Sequence, residues 1–314
     1  MDPLSDIIAL LRPHDCVAAG FDAGGNWSIR FNGHEGMKCN AVIRGRCWLA
    51  ADGAEPVNLE EGDCAILPRG RPFLLSSKPA QFGEDAQTIY EPVSHGGTAV
   101  YNGGGDFFMT GARFLLSGPA AVMLMRSLPP VIHVHPGPQQ QTIRWVLDQI
   151  AAELRNCGPG STLSITHLSH LLLLQVMRDH LSNSPPQIDG WLAALSDPPI
   201  LAAVAALHDD PARAWTVQDL ASTAALSRTS FAVRFRRVVG QTPIDYLMRW
   251  RILLAAEKLL HAGQPVAQVA ADVGYASESA FTVAFKRTLG CTPRQYARDG
   301  RLLNSRGGAK TNAP

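Results

Sequence analysis

The chain has 314 residues, 46% hydrophobic and 18% charged, enough apolar content for a packed core and enough length for two domains. No run of about 20 apolar residues occurs, which excludes a membrane-spanning helix, and the start Met1-Asp2-Pro3-Leu4 lacks the basic and apolar parts of a signal peptide, so a cytoplasmic protein is expected. Net charge is only +1, but residues 1–212 hold 13 Lys+Arg against 21 Asp+Glu while 213–306 hold 14 against 6, which points to a polyanion-binding C-terminal third.

Taken in chain order, Leu4, Ile7, Ile8 and Leu11 have helical spacing. From residue 16 to about 130, short apolar runs alternate with Gly, Pro and Asp: Trp27–Phe31, Asn40–Ile43, Cys47–Ala50, Cys64–Leu67, Phe73–Leu75, Phe107–Thr110 and Arg113–Leu116. Turn signals every 8–12 residues predict an antiparallel sandwich or barrel. Six cysteines (16, 39, 47, 64, 157, 291) form no Cys-x-x-Cys pair and read as free thiols. After Pro138 the period becomes helical, predicting helices over Gln139–Arg155 and Ser161–Leu181. The broad apolar face of the second suggests a dimerisation surface. Ser182–Pro186 is a polar break, Pro198–Arg298 reads as helical throughout, and the last 15 or so residues read as a flexible tail.

The strongest signal is a gapless internal match between 216–246 and 266–296, identical at 11 of 31 positions. Each copy predicts a short helix (Val217–Ala224; Val266–Val273), a turn, a Ser N-cap (Ser227; Ser277) and a second helix burying Phe231 and Phe235, or Phe281 and Phe285. Gly240 or Gly290 then ends that helix, and Thr-Pro starts another. This is the helix-turn-helix plan. The faces left free carry Arg228, Thr229, Ala232, Val233, Arg236 and Arg237 in one copy, and Glu278, Ser279, Thr282, Val283, Lys286 and Arg287 in the other. Small and polar residues sit where a helix meets base edges, and basic ones where it meets phosphates. Pro243–Leu260 joins the copies as an amphipathic strut of roughly 27 Å, near the ~34 Å of one DNA turn.

The segments Trp215-Thr216-Val217, Ser227-Arg228-Thr229-Ser230-Phe231, Gly274-Tyr275-Ala276-Ser277-Glu278-Ser279-Ala280-Phe281 and Gly290-Cys291-Thr292-Pro293 resemble the AraC/XylS family of bacterial transcriptional regulators. The resemblance covers about 198–298. It implies that both second helices are recognition helices, with Thr229, Ala232, Val233 and Arg236, then Glu278, Ser279, Thr282, Val283 and Lys286, facing promoter DNA. RNA polymerase and a second copy of the chain are the implied protein partners.

Gly62-Asp63-Cys64 through Pro68-Arg69-Gly70-Arg71-Pro72-Phe73 resembles the second cupin motif, with Phe73 where a metal-binding cupin has His. Lys38-Cys39-Asn40 occupies the first-motif region without a His-x-His. No metal and no cofactor are therefore expected. The resemblance implies a sensor domain for a small-molecule effector or an oxidant such as reactive chlorine. Cys16, Cys39 and Cys64, with Phe73, are the candidate sensing residues, and Lys38 beside Cys39 is the one hint of an activated thiol. Alternation assigns Cys39, Ala41 and Ile43 to one strand face, and Cys64, Ile66, Phe73 and Leu75 to the same interior. His133-x-His135, and His167 with His170, have ligand-like spacing but no evident third ligand, so surface or partner-interface histidines are expected.

No hydrolase, zincin or dinucleotide fingerprint is present, and the chain is not expected to be an enzyme; the alternative is a degenerate cupin enzyme fused to a DNA-binding module. The expected architecture is α+β and multidomain: a cupin-like β-barrel (1–130), a helical dimerisation segment (131–190), an all-α DNA-binding domain with two helix-turn-helix units (191–300) and a tail (301–314).

Overall fold

The computed structural model describes residues 2–79, 82–93, 97–135, 138–156, 158–183, 191–261 and 264–299. Cys157, most of the 182–186 break and the 301–314 tail lie outside them. Contacts divide the chain into a unit of 11–117 with 121–185, and a unit of 1–10, 118–120 and 186–314.

The first unit is a two-sheet β structure. One sheet has the order β11-β6-β3-β10-β1-β9, from Ile132–Val134, Cys64–Leu67, Met37–Arg44, Phe107–Ser117, Arg12–Ala23 and Thr98–Tyr101. The other has the order β5-β4-β7-β2-β8, from Val57–Leu59, Cys47–Ala51, Phe73–Ser76, Ser28–Phe31 and Glu84–Asp85. Pairing is antiparallel except for β9 on β1 and β8 on β2. Two predicted strands, 107–110 and 113–116, are one strand, because Gly111 lies in the pairing with β1 and β3 rather than in a turn. The aromatic interior comprises Phe21, Trp27, Ile29, Val42, Ala65, Leu67, Phe73, Leu75 and Phe107 among others.

That interior corrects the predicted face of two strands. Lys38, Asn40 and Val42 share its side of β3, and Ala65 and Leu67 its side of β6. Cys39, Ala41, Cys64 and Ile66 are buried on the opposite side of the same sheet. There Cys64 lies near Arg144 and Asp148 of α4 (Pro138–Asn156) and Asp179 of α5 (Ser161–Asn183), and Cys16 lies beside Ser169 of α5. The helical hairpin covers the outer face, so these strands are apolar on both sides and alternation cannot choose between them. Leu163 and Trp145 of the hairpin stay 62% and 53% exposed.

The second unit is helical. Its helices are α1 (Pro3–Ala9), α6 (Pro198–Asp209), α7 (Val217–Thr223), α8 (Arg228–Val239), α9 (Pro243–His261), α10 (Val266–Asp272) and α11 (Glu278–Leu289), with a last helical segment at 293–299. The 1–130 boundary places α1 with the barrel, yet α1 packs on α6 of this unit. Leu4, Ile7 and Ile8 are buried. His208 Nδ1 donates to the Asp6 carboxylate at 3.1 Å, its Nε2 accepts the Tyr246 hydroxyl at 2.7 Å, and its ring stacks on Trp250 at 3.9 Å. Burial pushes the His208 pKa down against the opposing pull of Asp6. Remaining helices are α2 (Ala86–Tyr90) and α3 (Pro119–Ser127). Among the described residues no helix is long and apolar enough to cross a membrane.

Candidate nucleic-acid interface

Both repeats fold as their sequences dictate. Thr216 and Asp219 form a reciprocal capping box on α7. Ser227 Oγ accepts the Ser230 N–H at 3.2 Å, and Ser277 Oγ accepts the Ala280 N–H at the same distance, each satisfying an orphan donor of α8 or α11. Gly240 and Gly290 end those helices at φ 79°, a left-handed conformation that only glycine adopts without strain.

An aromatic ladder then fixes each second helix. Phe231 meets Phe235 at 5.6 Å and Phe235 meets Tyr246 at 6.0 Å, all edge-on. Phe281, Phe285 and Tyr296 repeat it at 5.5 and 5.5 Å. Burying this stripe turns the opposite stripe outward. Arg228, Thr229, Val233, Arg236 and Arg237 are exposed, as are Ser279, Val283, Lys286 and Arg287; Ala232, Glu278 and Thr282 are half-buried. Val233 and Val283 occupy equivalent repeat positions and are 65% and 70% exposed. Neither valine belongs to the buried core, and each stands on the outward stripe with the cations of its helix. Glu278 is held by Arg294 at 3.3 Å.

The strut differs from expectation. α9 is buried nearly all round: Tyr246, Leu247 and Trp250 in its first half, and Ile252, Ala255, Ala256 and Leu259 in its second, the latter packed with Val269, Phe281 and Phe285. It is the shared core of both repeats. Arg251, which no pattern singled out, donates to the carbonyls of Pro211 (2.6 Å), Arg213 (2.9 Å), Gly274 (3.0 Å) and Ala212 (3.4 Å). It ties the approach to α7 to the turn before α11. Gly274 permits the approach: a Cβ there would sit 2.5 Å from the Ala212 oxygen.

Cys16, Cys39 and Cys64 lie near one another, away from Phe73, which faces the aromatic interior. Burial pushes the Cys16 thiol up to about 11 and Cys64 up to about 12, and raises Cys39 well above its ordinary value. The Lys38 hint is corrected, because its ammonium lies on the other strand face, 4.3 and 5.0 Å from the Phe31 and Phe73 ring centres. Phe31 and Phe73 stack at 4.4 Å and 5°. His170 is a structural residue bonded to the Leu11 carbonyl at 2.8 Å.

A feature missed in the sequence is a cavity of about 700 Å³ beside that stack, lined by Phe31, Lys38, Asn40, Tyr90, Met109 and Arg113 among others. Burial, then Arg113, lowers the Lys38 pKa to about 8. The Asn40 Nδ2 amide is buried with no hydrogen-bond partner among the described residues. Lys38, Arg113 and the unused Asn40 donor share this lining with the Asp85 carboxylate and with the aromatic rings of Phe31 and Tyr90.

Residues 2–182 match the cupin family and 220–299 the helix-turn-helix domain. A Streptomyces lividans protein named as an AraC-like transcription regulator is 44% identical over 279 residues, covering 88% of this chain and 91% of its own. The RCS-specific HTH-type transcriptional activator RclR of Escherichia coli is 28% identical, covering 88% and 90%. The DNA-binding domain of AdpA, solved with a target DNA, is 32% identical over 34% of this chain and 96% of that one, with TM-score 0.33.

Proposed function

Because the chain belongs to the AraC-like transcription regulators and carries their DNA-binding domain, we propose that α8 and α11 enter successive major grooves of promoter DNA and that an anionic small molecule in the barrel cavity controls this binding. The observation that carries the DNA reading is the matched outward pair Val233 and Val283, flanked by Arg236, Arg237, Lys286 and Arg287. The valines meet thymine methyls, Thr229, Ser279 and Thr282 meet base edges, and the cations meet phosphates. RNA polymerase is the partner on such promoters, and the cell compartment is the cytoplasm.

The cavity supports a small-molecule effector over thiol oxidation. RclR is named for its RCS specificity, but Cys16, Cys39 and Cys64 are held protonated by burial here, and the thiolate is the reactive form. Lys38 and Asn40 instead take a carboxylate while the aromatic floor takes its apolar body. The expected result is a rise in melting temperature of the full chain with aliphatic or aromatic monocarboxylates, absent in Lys38→Met. The affinity depends on Lys38 being protonated, so it is steady below pH 8 and falls as pH rises through about 8, by up to roughly tenfold per unit. Equal affinity at pH 7 and 9.5, or in Lys38→Met, defeats the assignment.

We also infer a homodimer through the α4–α5 hairpin, supported by exposed Trp145 and Leu163. Sedimentation equilibrium is expected to give twice the chain mass, and Trp145→Asp with Leu163→Asp to give one; a wild-type monomer at all concentrations contradicts it.

A further inference from the structure

Of the two histidines expected at the surface, His135 is exposed and His133 is half-buried. Both approach Asp63, which is 5% exposed at the turn before β6. One Asp63 oxygen accepts the Glu60 N–H at 2.9 Å and lies 2.9 Å from His133 Nε2. The other lies 3.7 Å from His135 Nδ1. The two rings are 4.0 Å apart, and the three donor atoms all fall within 4.8 Å of one another. Strand pairing builds the cluster: β11 runs antiparallel to β6, with Val134 opposite Cys64 and His133 opposite Ala65, which brings both histidines to the Asp63 end of β6.

The alternative is a simple His–Asp hydrogen bond, and one detail speaks against it. His133 Nε2 is buried and makes no aligned hydrogen bond, although the carboxylate oxygen is at bonding distance. In a hydrogen-bonded pair the ring nitrogen points at the oxygen. In a pair of metal ligands both point at a third atom, and their own separation is about 3.0–3.5 Å for bonds of about 2.1 Å. The separations of 2.9 and 3.7 Å bracket that range, and the His133 nitrogen is not aligned on the carboxylate oxygen.

We propose that Asp63, His133 and His135 bind a divalent transition-metal ion, away from the position that Phe73 takes in the cupin-like segment. Two imidazoles and one carboxylate suit Zn²⁺, Co²⁺, Ni²⁺ or Fe²⁺ and disfavour Mg²⁺ or Ca²⁺. Half-buried His133 and exposed His135 leave the outer coordination positions open to water. The ion fastens β11 to the turn that carries Asp63.

The test uses the full chain without a histidine tag, stripped with chelator, then titrated with Zn²⁺ by calorimetry and with Co²⁺ by visible absorption. The expected result is one ion per chain, Co²⁺ ligand-field bands with imidazole nitrogen coordination, and a higher melting temperature with Zn²⁺. His135→Asn, at an exposed position, keeps the fold and weakens binding by roughly 100-fold. Asp63→Asn retains an acceptor for the Glu60 N–H and is expected to weaken it similarly. Failure of the wild-type chain to bind Zn²⁺ overturns the proposal. So does equal binding by His135→Asn, which would locate the ion elsewhere.

Discussion

Replacing Val233 and Val283 together by aspartate is expected to lower affinity for a specific duplex by about 100-fold or more, with the melting temperature of the chain unchanged. Spoiling the contact at one base pair costs about 1–3 kcal/mol, the scale of one mismatch, and each new carboxylate is brought towards phosphates. The fold is spared because both side chains are mostly in water, at 65% and 70% exposure. Titration of a fluorescent duplex with melting curves checks both halves. The contrast is Arg236→Ala with Lys286→Ala, both at exposed positions. Removing two phosphate contacts weakens binding to every sequence alike and reduces the salt slope by about 2. If the valine pair leaves affinity intact, α8 and α11 present another face to DNA.

The second large effect is at Arg251. Arg251→Met keeps the aliphatic stem and removes the donors to the carbonyls of Pro211, Ala212, Arg213 and Gly274. A loss of about 3 kcal/mol in the stability of the C-terminal unit is expected, the scale of hydrogen bonds to a charged group. DNA affinity falls further than this stability loss explains, because two recognition helices held in fixed register bind as one body and untied ones do not. Arg251→Lys recovers little, since a point charge cannot reach four carbonyls from one planar fork. Denaturant melts and duplex titrations on both variants measure it. Wild-type affinity in Arg251→Met at a temperature where it is folded refutes the tie.

The repeat was legible because every level of it agrees. Serine caps, C-terminal glycines, the Phe–Phe–Tyr spacing and the charge asymmetry each specify the same two helices, and the ladder angles and φ values of both copies match. The barrel was legible as a class from its turns. Its inner face was not, because β3 and β6 are covered on both sides and their cysteines lie beneath α4 and α5. Three features had no local signal. α1 follows a helical pattern, but nothing in it says that Asp6 reaches His208, far along the chain. Arg251 looks like any helix cation until its carbonyl partners converge. Asp63 joins His133 and His135 only through the β6–β11 pairing. Long-range pairing chooses the partners in each case, and periodicity carries no information about it.

The most direct measurement is hydroxyl-radical footprinting of the full chain on a duplex selected from random sequence by the protein itself. The account predicts two protected segments on one face of the DNA, centred about one helical turn (~34 Å) apart, the first weakened by changes at Val233 and the second by changes at Val283. A single protected segment, or protection that both changes weaken equally, contradicts two separate readers joined by one rigid helix.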